Sequence, residues 1–239
     1  MITTLIFAGG TGTRMNSRTK PKQFLEMHGK PIIIYTLEHF EYHEEIDNIV
    51  VVCLKDWIEE LKGLIKRYGI TKVVKIVPGG DTGHDSIYNG LCAMRDMTPS
   101  DEHIVLIHDG VRPLINADLI TKNIQAVREY GNAITVEAVR ESIVHSSDGI
   151  NIQEMPKRDE MYVAKAPQTF YYKDIALLYE KAAADNHKSI DSSHLCSMYD
   201  VPMHMVKSTK NNIKITEPAD YYIYRALYEA LESQQIFGV

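Results

Sequence analysis

The chain has 239 residues, 44% of them hydrophobic and 24% charged, with a formal net charge of −6. That length and composition fit one large globular α/β domain that buries its own core without disulfides or a structural metal. The acidic balance argues against a nucleic-acid partner, although a local cluster of Lys and Arg can still sit in an acidic shell and receive a small anion. Three isolated cysteines, with no CxxC pair, suit a reducing compartment and suggest no zinc site.

The opening segment Ile2–Ala8 is apolar and ends in Gly9-Gly10. It lacks a basic flank, so it reads as a first buried strand and not as a signal peptide. No run approaches the ~18 apolar residues of a membrane span. The expectation is a cytoplasmic protein without a membrane partner.

The following elements alternate. A helix is expected over 31–43, a β-branched strand over 48–54, a helix over 56–68 and a strand over 72–77. After the break Pro78-Gly79-Gly80 come a helix over 84–97, a strand over 103–108, a helix over 117–130 and a strand over 132–138. Strands separated by helices of this length make βαβ crossovers, hence a Rossmann-like, mostly parallel sheet with helices on both faces. Residues 139–166 break the rhythm with short alternating stretches and the turn signal Ser146-Ser147-Asp148-Gly149. They read as a β-hairpin arm projecting from the single domain 1–239. A helix over 174–186, a strand near 202–207, the segment Asn212–Thr216 and a helix over 217–233 complete the chain.

In such a sheet ligands bind beyond the carboxyl ends of the strands. The segments 9–23, 78–86 and 108–113 each follow a strand, so they meet at one edge. The first is Ala8-Gly9-Gly10-Thr11-Gly12-Thr13-Arg14-Met15, followed by Lys20-Pro21-Lys22-Gln23. Glycines there let backbone N–H groups approach phosphates, and Arg14 and Lys22 can neutralise a triphosphate. The loop is neither a Walker P-loop, which needs GxxxxGK[ST], nor a dinucleotide fingerprint, whose third glycine is replaced by Met15. In the second segment, Gly79, Gly80, Asp81 and Ser86 suit a nucleotide contact, and Asp81 or Asp85 equally suits a helix cap. In the third, Asp109 and Arg112 follow a buried strand, while His108 reads as packing beneath the loop. Lys214 stands between Ile213 and Ile215, an unusual place for a cation unless its head faces a ligand.

Together GGTGTRM, PKQF, Gly79-Gly80-Asp81 with Ser86, His108-Asp109-Gly110-Val111-Arg112-Pro113, Arg158, Ala166-Pro167-Gln168-Thr169-Phe170 and NIKIT resemble the IspD/TarI cytidylyltransferases in order along nearly the whole chain. Members make CDP-methylerythritol or CDP-ribitol. The resemblance implies a fold of the nucleotide-diphospho-sugar transferase type, CTP as donor and a polyol phosphate as acceptor. It implies Ala8, Gly9, Gly10, Thr11, Gly12, Thr13, Gly80, Asp81 and Ser86 at the nucleotide and Arg14, Lys22 and Lys214 at the reacting phosphate. It makes Asp109 a substrate- or Mg²⁺-side carboxylate, Mg²⁺ needing only one or two beside phosphate oxygens. It places Arg112, Ser142 and Arg158 at the acceptor, the last two on an arm that reaches across a homodimer. The chain departs from the pattern at Gly83, where the family usually has an arginine, with His84 next to it. It departs again at Glu141-Ser142, where Asp-Thr is usual. The AGG opening and HDGVRP favour ribitol 5-phosphate over 2-C-methylerythritol 4-phosphate as acceptor. An inactive nucleotide-binding homologue and a hexose-1-phosphate nucleotidyltransferase are the other readings; retention of Arg14, Lys22, Asp109 and Lys214 together speaks against the first, chain length and the Arg158 to Lys214 block against the second.

Overall fold

A computed structural model describes residues 1–10, 20–97 and 100–237. The chain begins with β1 (Ile2–Ala8), the ribbon β2 (Glu26–Met27) and β3 (Lys30–Pro31), and α1 (Ile32–Glu41). Then come β4 (Asn48–Cys53), α2 (Ile58–Arg67), β5 (Val73–Pro78), α3 (Gly83–Ala93), β6 (Ile104–Asp109), α4 (Ala117–Tyr130) and β7 (Asn132–Ala138). After a long excursion follow β8 (Tyr162–Tyr171), α5 (Tyr172–Ala184), α6 (Ser192–Met198), β9 (Met205–Lys207) and α7 (Pro218–Phe237).

Seven strands form one sheet in the order β5-β4-β1-β6-β8-β7-β9. All pairings are parallel except those of β8, which runs antiparallel to both β6 and β7. The mostly parallel sheet follows from the β-branched runs. Alternate residues of Asn48–Cys53 enter opposite layers, Ile49, Val51 and Cys53 on one side and Val50 and Val52 on the other. Both faces are therefore covered, as the continuous apolar pattern requires. Helices α1, α2 and α4 pack on the first face, and α3, α5 and α6 on the second. A third cluster joins Ile32 and Tyr35 of α1 to Tyr224 of α7, with Val111 and Ile215 between them.

Capping explains where several helices begin. The Thr82 hydroxyl accepts from Asp85 N at 3.1 Å while Asp85 Oδ2 accepts from Thr82 N at 3.1 Å, a reciprocal box at the head of α3. Asn116 caps α4, which ends at Gly131 with φ 89°, and Asp191 caps α6.

The strand order reverses between β1 and β6, since β4 and β5 lie to one side of β1 and β6 to the other. This is the switch point at which open α/β sheets bind ligands. The excursion between β7 and β8 is an exposed projection fastened by one bridge, His145 to Glu154. It is more sparsely paired than a regular hairpin. Residues 162–166, expected in the arm, are the first half of β8 in the main sheet. The strand expected near 202–207 is shorter, and α6 had no counterpart in the sequence reading.

Candidate active site

The loops after β1, β4, β5 and β6 enclose a cleft of about 840 Å³ at the switch point. Its wall includes Gly9 and Gly10, Lys22, Trp57, Gly79 to Gly83, Ser86, Asp109 and Lys214. Thr11, Gly12, Thr13 and Arg14 lie outside the described residues.

On the nucleotide side, two glycine loops touch backbone to backbone. A Cβ on Gly79 would stand 3.0 Å from Gly9 Cα, tighter than most such contacts and against backbone that would have to give way. Ser86, buried at the first turn of α3, joins them: its hydroxyl accepts from Gly80 N at 3.1 Å and lies beside Gly9. A Cβ on Gly80 would meet Asp85 Cβ at 2.4 Å, so the chain passes over the helix start only as glycine. Asp85 is the cap, and Asp81 is left at the rim of the cleft. The N-terminus of α3 and its backbone N–H groups therefore face a space suited to an anion.

Gln23, quoted in the sequence only as part of PKQF, has a structural task. It is buried, and its amide donates to Ala8 O at 2.7 Å and to Gly10 O at 3.3 Å. It thereby ties the Lys22 turn to the end of β1. Lys55, Asp56 and Trp57 also line the cleft from the loop after β4. That loop carries no glycine signal, and sequence reasoning missed it; the one available sign was Trp57, the only tryptophan, directly after a strand. Its ring stacks on Phe24 at 4.6 Å.

His84 turns away from the cleft. Its Nδ1 lies 3.0 Å from Ser189 Oγ and its ring packs 4.7 Å from Tyr179, while burial lowers its pKa. It supplies no cation in place of the arginine absent at Gly83.

The charged centre lies at the end of β6. Asp109 Oδ1 pairs with Lys214 Nζ at 2.5 Å, and Oδ2 accepts from Arg112 Nε at 2.7 Å. Burial opposes ionisation of Asp109, but Arg112 and Lys214 outweigh it and hold the carboxyl well below the usual range. Lys214 is fixed by its neighbours: Ile215 N donates to Val111 O at 2.9 Å, and Asp220 caps the next helix from Thr216 N and Glu217 N. Its side chain is partly exposed and lines the cleft. Arg112 is more committed than a free acceptor contact. It is 9% exposed and also donates to Asn212 O at 3.1 Å. His108 lies beneath, edge-on to Phe40, and burial pushes it down to about 3. It is packing, as expected.

Ser142 and Arg158 lie on the exposed arm, away from this cleft. Arg158 donates to Arg140 O at 3.4 Å. Among the described residues Asp109 pairs with Arg112 and Lys214 and with neither of these two.

A profile of the family described as "IspD: 2-C-methyl-D-erythritol 4-phosphate cytidylyltransferase" matches residues 2–229. The chain belongs to the IspD family of cytidylyltransferases. It is a nucleotidyltransferase. Ribitol-5-phosphate cytidylyltransferase of Streptococcus agalactiae serotype Ia is 47% identical over 236 residues, 98% of each chain. The protein of that name from Vibrio parahaemolyticus is 46% identical over 235 residues, also 98% of each. A 2-C-methyl-D-erythritol 4-phosphate cytidylyltransferase of Clostridium botulinum is 38% identical over 228 residues, 95% of this chain and 97% of that one. Among solved structures, 4-diphosphocytidyl-2C-methyl-D-erythritol synthase from Anaerococcus prevotii superposes with a TM-score of 0.82 at 30% identity, covering 95% and 96% of the two chains. Among the described residues no helix is long and apolar enough to cross a membrane.

Proposed function

We propose that this enzyme transfers CMP from CTP to D-ribitol 5-phosphate, giving CDP-ribitol and pyrophosphate. The observation that carries the acceptor choice is the similarity pattern: relatives named for ribitol 5-phosphate are 46–47% identical, those named for the methylerythritol phosphate 37–39%. The latter acceptor is the second reading, favoured by the family profile's own description.

An oxygen of the acceptor's phosphate attacks the α-phosphorus of CTP. The bond to the bridging oxygen breaks, and its electron pair leaves with pyrophosphate. The attacking oxygen is already an anion, so no general base is required. The protein's work is to hold two mutually repelling anions in line and to stabilise the charge that develops between them. Ala8 to Thr13, Gly80, Asp81 and Ser86 hold the nucleotide; Arg14, Lys22 and Lys214 serve the reacting phosphate. Lys22 and Lys214 both line the cleft, which supports that assignment.

Asp109 and Arg112 hold the acceptor side. Asp109 also suits a Mg²⁺ carried mainly by phosphate oxygens. Each of its carboxylate oxygens has one protein partner, leaving lone pairs for a further contact. When bound, that ion neutralises triphosphate charge.

In this reading the arm docks on a second subunit and delivers Ser142 and Arg158 to the partner's acceptor. Its exposed apolar side chains, Ile150 at 85% and Ile152 and Met155 at 62%, support burial there. We place the enzyme in the cytoplasm, where its free cysteines stay reduced. Pyrophosphate release from CTP, Mg²⁺ and ribitol 5-phosphate tests the assignment. Lys22→Ala should abolish it with the fold intact by circular dichroism; near-normal turnover would overturn it.

A further inference from the structure

Two residues before Lys214 stands a polar side chain that the reaction as described does not use. Asn212 is fully buried. Its amide Nδ2 donates to Ala166 O on β8 at 2.7 Å and to Ser208 Oγ at 3.1 Å. Its own carbonyl accepts from Arg112 Nη1 and from Lys165 Nζ, each at 3.1 Å. One residue thus reaches β8, the loop after β6 and the chain that leaves β9. Its Oδ1 has no donor among the described residues, so the amide is set by what it donates to.

The surrounding backbone shows what these bonds replace. The ladder between β6 and β8 runs from Ile104 opposite Tyr171 to Ile107 opposite Gln168 and stops there, short of Asp109 on one strand and Ala166 on the other. Asn212 joins the two beyond that end, its side chain on Ala166 and its carbonyl on Arg112, the cation paired to Asp109. The segment from Ser208 to Glu217 belongs to neither strand nor helix, so no ladder of its own fixes it. It is tied on either side of Lys214: at Asn212 before it, and after it where Ile215 N donates to Val111 O at 2.9 Å. A lysine side chain has much rotamer freedom to lose, and its head is preorganised only if the backbone carrying it is.

We infer that Asn212 is a positioning residue for Lys214: by bolting the irregular segment to β8 and to the Asp109 loop, it fixes the backbone from which the ammonium reaches the reacting phosphate. The inference rests on the transfer proposed above and on the part given there to Lys214. Asn212 touches neither substrate in this account. Its effect falls on the chemical step, through the placing of one cation, and not on the binding of CTP or acceptor.

The test is steady-state kinetics of the full-length enzyme and Asn212→Ala, using whichever of ribitol 5-phosphate and 2-C-methyl-D-erythritol 4-phosphate wild type turns over. Circular dichroism sets a temperature at which both proteins are folded, and calorimetric titration with CTP and Mg²⁺ counts competent sites. Asn212→Ala should lower kcat by about 10- to 100-fold, up to the scale of a misplaced catalytic group, with CTP sites per chain unchanged. KM for both substrates should stay within about threefold, the mark of an interaction felt only in the transition state. In a Lys214→Gln background the same substitution should cost less than about threefold, because the group it positions is gone. Where Lys214→Gln is too slow to measure, the split between kcat and KM and the site count decide. If Asn212→Ala does not fold, Ser208→Ala removes one of the two acceptors of the same amide and should show the same pattern at smaller size. Unchanged kcat, loss of CTP sites in step with kcat, or equal losses with and without Lys214 would overturn the inference. Wild type inactive with both acceptors would sink the function reading, and normal turnover by Lys214→Gln would sink that lysine's role; both differ from an active, Lys214-dependent enzyme indifferent to Asn212.

Discussion

Asp109→Asn removes one negative charge and little volume, so it isolates the electrostatics of the centre. Asp109 is 6% exposed in its side chain and Arg112 11%, so the substitution leaves a buried guanidinium without its counter-charge. Breaking such a pair from one side costs about 3–5 kcal/mol. Lys214 is 37% exposed and recovers solvent when released, so its share is small. The expectation is therefore about 3 kcal/mol, the low end of that range. For a domain of this size each kcal/mol lowers the melting temperature by about 2–4 °C, giving a fall of roughly 6–12 °C. Calorimetry measures it. The partner variant Arg112→Met removes the orphaned charge. In the double variant the two losses should fall short of additivity by about 1 kcal/mol or more. Because the pair is buried, the loss should persist at high salt. A change under 2 °C, or strict additivity, would refute the claim that Asp109 anchors the cations.

Three other outcomes follow from the same geometry. Gln23→Ala cuts both bonds that tie the Lys22 turn to the end of β1. It should lower kcat/KM for CTP by about 10²-fold, the scale of a misplaced catalytic group, with little change in melting; unaltered kinetics would contradict the tie. Among the described residues Gly83→Arg meets no atom within 4 Å of its new Cβ, and it puts a cation at the cleft where the family pattern has an arginine. KM for CTP should fall several-fold, most strongly at low salt; a rise would show that the site rejects it. Finally, burial pushes His108 down to about 3 and His103 to about 4, far below the unfolded value near 6.5. The unfolded chain then binds more protons between those values, so stability falls as pH drops below about 6.5, by about 1.4 kcal/mol per pH unit for each histidine. Urea unfolding at pH 7 and pH 5 checks this, and equal stability at both would contradict it.

What the sequence made legible was wherever apolar period and glycine position carry the signal. The β-branched runs of β1, β4 and β6 specify buried parallel strands, and glycines after two of them mark the ligand edge. β8 escaped because its inner half is Ala166-Pro167-Gln168-Thr169-Phe170, buried yet half polar. Gln168 exchanges hydrogen bonds with Ser193, and Thr169 donates to Asn123, partners that only the fold supplies. The same reason hid Gln23, which is polar and owes its place to the carbonyls of Ala8 and Gly10 across the intervening loop. The sequence placed Arg112 three residues after Asp109 at a strand end, but its hydrogen bond to Asn212 O, a hundred positions away, was not legible.

The central claim is CMP transfer to ribitol 5-phosphate. Its most direct test offers the purified enzyme CTP and Mg²⁺ with equal ribitol 5-phosphate and 2-C-methyl-D-erythritol 4-phosphate, and resolves the products by phosphorus NMR. The account predicts CDP-ribitol and pyrophosphate in equal amounts, with the methylerythritol product minor. CDP-methylerythritol as the main product would contradict the acceptor assignment, and pyrophosphate release from neither acceptor would contradict the reaction.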